Sequence, residues 1–404
     1  MKRYYLDTST YTTGSTFFTV SLAIYPILSM YGFSLISIGD IILILSLVSS
    51  YRPNNDLVVV NRRPIRFQWL FLTYCVISVI IALLTKKNVL FGSMAKRVIK
   101  QGFYISVISC CPKMLNRKLF IRIYRGVVYV AFAGLVIQYA AYYGLGRVIV
   151  PRIPFLPYSG VTTEERILRS LSLQFRPGSF FSEPAACSYV LLPYLSFALL
   201  KQQDGGKKRY YDIAILTASV LMTQSSAGLI CCLIIYVAYF ARIIMTSSLS
   251  VEKKITRIIV FLLLVATGYY VYINSTLRFS LERIRMNEDG TLANAWGKTT
   301  SGSDLFSSLP KFSKIFGLGF GNLNMTFLSN YTNGVYYIMI CTGYVGLVIM
   351  LLWLFSVAIN TRLCGKITAA VFAALCIAAR VSISSALMFF NIFCMLDDKM
   401  LETH

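Results

Sequence analysis

The sequence predicts an all-α polytopic integral membrane protein of about twelve transmembrane helices, on three observations. Hydrophobic residues make up 56% of the 404 residues and charged residues 14%, about half the charge share of a soluble domain. Mean hydropathy is +0.66. Apolar runs on the scale of the ~30 Å hydrocarbon core of a bilayer recur along the chain. A soluble globule of two or three domains would need far more charge to cover its surface, so the whole chain, 1–404, reads as one transmembrane domain.

In chain order the spans read as roughly 15–31, 35–50, 67–84, 89–112, 123–144, 182–200, 210–223, 225–244, 258–273, 335–357, 367–380 and 383–396. The first begins after a polar stretch; Met1-Lys2-Arg3 and the absence of an A-x-A site give no sign of a cleaved signal peptide. The second ends at a loop carrying Arg52, Arg62, Arg63 and Arg66. The fourth ends at Lys113, Arg117, Lys118, Arg122 and Arg125, and the sixth at Lys201, Lys207, Lys208 and Arg209. Arg242, Lys253, Lys254 and Arg257 follow the eighth span, and Arg362 and Lys366 the tenth. With twelve spans every one of these basic loops falls on one side, which places both termini in the cytoplasm. This also accounts for a formal net charge of +23 without nucleic acid as a partner. Cys110-Cys111 and Cys231-Cys232 lie within apolar segments and read as small core residues rather than a disulfide framework.

Two of the remaining, outer loops are long: 145–180, about 36 residues, and 274–334, about 61 residues. Both go against the charge rule. The first carries Arg147, Arg152, Arg166, Arg169 and Arg176; the second carries Arg278, Arg283, Arg285, Lys298, Lys311 and Lys314. Arginine suits bidentate binding of phosphate or carboxylate. Any one of these is as readily a solvated loop charge, but as a set they favour an anionic substrate on the outer face.

The most informative stretch is Arg176-Pro-Gly-Ser-Phe-Phe-Ser-Glu183-Pro184. Glu183-Pro184 predicts a helix start, with proline in the first turn and a carboxylate at the positive helix end. One reading is a capping glutamate beside a surface arginine. The other is an arginine anchor and a catalytic or substrate-binding carboxylate held on one turn. Asp40, near the outer end of the second span, is a second candidate carboxylate, equally readable as a structural hydrogen bond. Lys96, Arg97 and Lys100 interrupt the fourth span, either lining a cavity for phosphate or headgroups or snorkelling to the surface. Gly317-x-Gly319-x-Gly321 is not a dinucleotide fingerprint; a tight turn is favoured over a phosphate cradle. Thr162-Thr-Glu-Glu165 matches a capping box and predicts a short amphipathic surface helix.

Arg-x-x-Gly-x-Phe-x-Glu-Pro before a membrane helix resembles the signature of the Wzy-type O-antigen and capsular polysaccharide polymerases, in the O-antigen ligase/polymerase superfamily. Here it reads Arg176, Gly178, Phe180 or Phe181, Glu183 and Pro184. Thr223-Gln-Ser-Ser226-Ala-Gly228-Leu resembles the serine-rich start of the following span, and Phe316-Gly317-Leu-Gly319-Phe-Gly321-Asn322 a glycine turn near the end of the large loop. The resemblance implies a GT-C-like glycosyltransferase of the bacterial inner membrane acting at its outer, periplasmic face. Both substrates would be oligosaccharide repeats on undecaprenyl pyrophosphate. A hydroxyl of one attacks the anomeric carbon of the other, and undecaprenyl pyrophosphate leaves. Membrane lipid and a chain-length regulator protein are the further partners it implies.

In that frame Glu183 is the expected general base. Arg176, Arg278, Arg283 and Arg285 would stabilise the leaving group, with Arg166, Arg169, Lys96, Arg97 and Lys100 as further pyrophosphate contacts. No Asp-x-Asp pair is present and the only histidine is His404, so metal-independent transfer with no cofactor is expected. The superfamily's ligases use a loop histidine, which this chain lacks. A lipid-linked oligosaccharide flippase is the rival of another class, but internal repeats and short loops would be expected of it.

Overall fold

A computed structural model describes residues 13–33, 36–50, 63–85, 89–158, 175–200, 207–246, 295–322, 332–378 and 385–396, together with 252, 255 and 259. Among the described residues the protein is mostly helical, at 83%. Thirteen helices occur among the described residues: α1 Thr13–Leu28, α2 Ile38–Ser50, α3 Arg63–Thr85, α4 Phe91–Met114, α5 Arg117–Leu145, α6 Pro184–Leu200, α7 Lys207–Thr223, α8 Ser226–Thr246, α9 Ala295–Ser307, α10 Lys311–Phe316, α11 Gly334–Asn360, α12 Leu363–Ala378 and α13 Ser385–Leu396. A helix lies on each expected span except 258–273, of which all but residue 259 falls outside the described residues.

Among the described residues, four helical segments are long and apolar enough to cross a membrane: Pro64–Thr85, Arg117–Leu145, Ser226–Met245 and Gly334–Asn360. Six shorter apolar helices of 10–17 residues accompany them. α4 has the length, but Lys96, Arg97 and Lys100 lower its hydropathy. This is the architecture of an all-α, multi-pass membrane protein. Its outer helices turn apolar rows away from the protein: Ile77, Ile80 and Leu84 on α3, and Val348, Leu351, Leu352, Phe355 and Ile359 on α11 are exposed. Rows at this helical spacing match a hydrocarbon solvent.

Two helices have no exposed side. Every residue from Val190 to Phe197 on α6 and from Ala386 to Cys394 on α13 is buried, as expected of helices that are hydrophobic all round. They pack on each other and on α12. An aromatic cluster fills the centre, with Tyr124 of α5 lying 5.2 Å from Phe393 and 5.8 Å from Tyr194 between ring centroids.

Local chemistry sets the helix ends. Asn116 caps α5 by accepting from Leu119 N at 3.1 Å, and Asn333 caps α11 by accepting from Tyr336 N at 2.9 Å. α5 ends at Gly146, whose left-handed backbone (φ 62°) closes the last turn. The only strands among the described residues are β1 Gly32–Phe33 and β2 Ile36–Ser37, an antiparallel hairpin in the α1–α2 connection.

Much of what reads as outer loop is folded onto the bundle. Residues 147–158 return along α5 and meet the α1–α2 connection, where Gly32 N donates to Pro157 O at 2.8 Å and Ile153 N to Tyr31 Oη at 2.9 Å. Within 274–334, α9 and α10 are helical and pack against α11. α9 approaches closely because Gly302 carries no Cβ; one there would lie 2.6 Å from Tyr336 Cβ. The low hydropathy of Ala295–Ser307 conceals this contact from a reading of sequence. The expected helix over 162–165 lies outside the described residues.

α11 is broken at Gly343 (φ 68°, ψ −169°). The chain following α10 docks at the break. Leu318 N donates to Ile340 O at 2.8 Å and Gly319 N to Cys341 O at 3.0 Å. A Cβ on Gly317 would collide with Cys341 O, and one on Gly343 with Ile315 O.

Candidate functional site

The 175–184 segment and the α7–α8 turn, two of the stretches singled out in the sequence, meet in space. Arg176 Nε donates to Gln224 O at 3.1 Å. Gln224 takes a left-handed backbone (φ 49°), which ends α7 and starts α8 two residues later. Its side-chain amide donates to Tyr139 Oη at 2.9 Å, and Tyr139 in turn donates to Met222 O at 2.9 Å. Ser225 caps α8 by accepting from Gly228 N at 3.3 Å. Ser188 and Thr223 hydroxyls pair at 2.8 Å. Gly228 lets α8 approach α6 closely, since a Cβ there would lie 2.5 Å from Ser188 Oγ.

Gly178 and Ser179 turn the segment. A Cβ on Gly178 would lie 3.0 Å from Phe181 O and 3.2 Å from Pro184 N. Ser179 has φ 54°, uncommon for a side chain other than Asn or Asp. Its hydroxyl donates to Ala131 O of α5 at 2.8 Å, over Gly134, where a Cβ would collide with it. Phe181 anchors the turn in the core with no exposed surface.

Pro184 is the first residue of α6, and Glu183 O accepts from Cys187 N at 3.2 Å. Glu183 is thus the residue that starts the helix, and its side chain is exposed while Gly178 and Ser179 beneath it are buried. Tyr189, half-buried one and a half turns along α6, lies within electrostatic reach of both Glu183 and Arg176. Sequence reasoning did not single out Tyr189 or Tyr139, and it reached Gln224 only as part of the 223–229 stretch. Tyr139 lies on α5, Tyr189 on α6 and Gln224 between α7 and α8, and only the packing of these four helices brings them to Arg176. The arrangement places a guanidinium, an exposed carboxylate and the amino-terminal ends of α6 and α8 at one end of the bundle. Both helix ends carry partial positive charge.

The other candidates form a second group, built on α2, α4 and α11. Asp40 is buried and its oxygens have partners: Oδ1 accepts from Tyr25 Oη at 2.7 Å, Oδ2 from Ser37 N at 2.9 Å, and Lys100 Nζ lies 3.6 Å from Oδ2. Ser37 Oγ accepts from Asp40 N at 3.0 Å, completing a reciprocal box at the start of α2. Of the two readings open for Asp40, these contacts favour the structural one. Arg97 lies over the ring of Tyr337, 5.5 Å from its centroid.

The glycine turn at Gly317, Gly319 and Gly321 meets this group. All three have positive φ, of 85°, 101° and 92°. A Cβ on Gly319 would lie 2.5 Å from Met94 Cε, and one on Gly321 2.9 Å from Arg97 Cδ. Ser93 Oγ donates to Gly321 O at 3.2 Å and Ser78 Oγ accepts from Phe320 N at 3.2 Å. The amides of Leu318, Gly319, Phe320 and Asn322 all bond protein acceptors, so the turn holds α3, α4 and α11 together and does not offer these amides to phosphate. Arg166, Arg169, Arg278, Arg283 and Arg285 lie outside the described residues. Comparison of the chain with protein-family models and with curated proteins finds no match.

Proposed function

We propose that this protein is a polysaccharide polymerase: a metal-independent glycosyltransferase that joins oligosaccharide repeats carried on undecaprenyl pyrophosphate at the outer face of a bacterial inner membrane. The observation that carries the reading is the placement of Arg176 and Glu183 on one rigid turn beside the starts of α6 and α8. The carboxylate of Glu183 takes the proton of the acceptor hydroxyl. That oxygen forms a bond to the anomeric carbon of the donor, and the bond from this carbon to the pyrophosphate oxygen breaks. The leaving pyrophosphate gains negative charge, which Arg176 and the two helix ends offset. Arg166, Arg169, Arg278, Arg283 and Arg285 enter the same proposal as additional phosphate contacts, on sequence grounds alone. So do both termini in the cytoplasm, with 145–180 and 274–334 on the periplasmic side.

The test uses purified protein in lipid vesicles supplied with one defined lipid-linked repeat. The expected product is a ladder of polymers and free undecaprenyl pyrophosphate, at a rate that EDTA leaves unchanged. Absence of any polymer from well-folded protein would overturn the reading. A gene deletion separates the rivals in cells: loss of a polymerase leaves single repeats ligated to the lipid core, loss of a ligase leaves long unligated polymer, and loss of a flippase strands repeats on the inner face.

A further inference from the structure

Gln138 lies on α5 about 10 Å below its end at Leu145, and it is buried, with 1% of its surface exposed. Both ends of its amide are engaged. Its Oε1 accepts from Ser179 N at 2.7 Å, and its Nε2 donates to Ile149 O at 3.0 Å. Ser179 is the left-handed residue of the turn between Arg176 and Glu183. Ile149 belongs to the stretch that is tied at its far end to the α1–α2 connection through Pro157 and Tyr31.

We propose that Gln138 is a positioning residue for the transfer reaction: its two-ended amide locks the Ser179 turn, and so sets Arg176 and Glu183 relative to each other. This rests on the polymerase reading above. The physical argument concerns strain. A serine at φ 54° is held in a sparsely populated conformation, and such a conformation persists only where its surroundings over-determine it. Here there are two restraints, Gln138 on the Ser179 amide and Ala131 O on its hydroxyl. Both come from one face of α5, so the turn is referenced to a helix of 29 residues rather than to a loop. Gln138 itself cannot swing away, because Ile149 O holds the other end of its amide. An acid–base carboxylate and a charge-stabilising guanidinium act well only at fixed separation, and a misplacement of about 1 Å costs roughly 10²-fold in rate. Gln138 need not touch substrate to control that separation.

Three variants test this. Gln138→Met fills nearly the same volume and removes both hydrogen bonds. Gln138→Glu keeps an acceptor oxygen towards Ser179 N. Ser179→Gly removes the strain, since glycine adopts positive φ without help. With purified protein and lipid-linked repeats, Gln138→Met is expected to lower kcat roughly 10–100-fold with KM little changed, and to lower the thermal midpoint because Ser179 N and Ile149 O lose their partner. Gln138→Glu, which keeps the bond to Ser179 N but loses the donor to Ile149 O, should retain more of the rate than Gln138→Met, and Gln138→Met combined with Ser179→Gly should recover part of it. Hydrogen exchange at the Ser179 amide is a readout independent of activity, and Gln138→Met should speed it at least tenfold. Unchanged exchange refutes the lock whatever the enzyme does, and unchanged kcat in folded Gln138→Met refutes the positioning role. A wild type without polymerase activity would overturn the functional reading instead, with the exchange result still deciding the lock.

Discussion

A carboxylate on a helix start can be a cap or a base, and the two roles separate by substitution. Glu183→Gln keeps the shape and the backbone carbonyl that accepts from Cys187 N, but loses the proton acceptor. As general base, its loss should lower polymerisation ~10²–10⁴-fold with binding of lipid-linked repeat preserved; near-normal ladders from folded protein would leave Glu183 as a helix start only. Arg176→Lys keeps charge but loses the planar fork, so turnover and pyrophosphate affinity should fall together. Asp40 gives the contrasting outcome. Its oxygens bond Tyr25 Oη and Ser37 N and lie beside Lys100. Asp40→Asn is therefore expected to lower stability by about 1–3 kcal/mol, seen as a lower thermal midpoint in detergent, with specific activity of the surviving protein unchanged. A hundredfold loss of activity at unchanged stability would return Asp40 to the catalytic list. The sequence made Glu183-Pro184 legible because a helix start is a local signal carried by adjacent residues. It left Asp40 open because, beyond the local box with Ser37, its partners Tyr25 and Lys100 lie 15 and 60 residues away, on α1 and α4.

Helices announce themselves by hydropathy, and those expected from the sequence are found wherever the chain is described. What sequence periodicity does not carry is a contact between segments. α9 and α10 arose from a stretch that reads as loop, and the break in α11 falls within an uninterrupted apolar run. Gly343 is the source of the break: its φ of 68° is open to glycine, and the carbonyls of Ile340 and Cys341 just before it accept from Leu318 N and Gly319 N. Unpaired carbonyls in the middle of an apolar helix would be costly away from water; the docked glycine turn gives them donors. Gly343→Ala should therefore do more than tighten a helix. Strain at positive φ contributes about 1–3 kcal/mol, and the new Cβ meets Ile315 O, so the 315–321 segment must move. A loss of roughly 3 kcal/mol or more is expected, read as a lower thermal midpoint and faster hydrogen exchange at Leu318 and Gly319. Gly126→Ala on α5 is the control, because nothing lies within 4 Å of its added Cβ; it should be neutral or stabilising by up to about 1 kcal/mol. Equal stability of the two variants would mean that the break is not held by Gly343.

At the scale of the molecule, the orientation in the membrane decides whether the Arg176–Glu183 turn can meet substrate at all. The basic loops after α2, α4, α6, α8 and α11 gather at the end of the bundle opposite that turn if the helices alternate. The start of α5 adds a buried anchor there: Arg125 Nε lies 2.8 Å from Asp212 Oδ2, and Tyr129 Oη donates to Asp212 Oδ1 at 2.6 Å. A helix end carrying Arg117, Lys118, Arg122 and Arg125 is hard to draw through a bilayer, since each cation at its centre costs roughly 2.5–3.5 kcal/mol on insertion scales. The prediction is that this end is cytoplasmic and the turn periplasmic. Native thiols offer a convenient background for labelling, as nine of the ten are buried and Cys110 is half-buried; replacing Cys110 by alanine should leave the protein unreactive. In that background Gly144→Cys, at the exposed end of α5, should react with an impermeant maleimide in cells whose outer membrane alone is permeabilised. Arg362→Cys, exposed between α11 and α12, should react only after the inner membrane is broken. The reverse pattern would invert the molecule, place Glu183 and Arg176 on the cytoplasmic side, and remove the outer-face polymerase reading even if both residues prove essential.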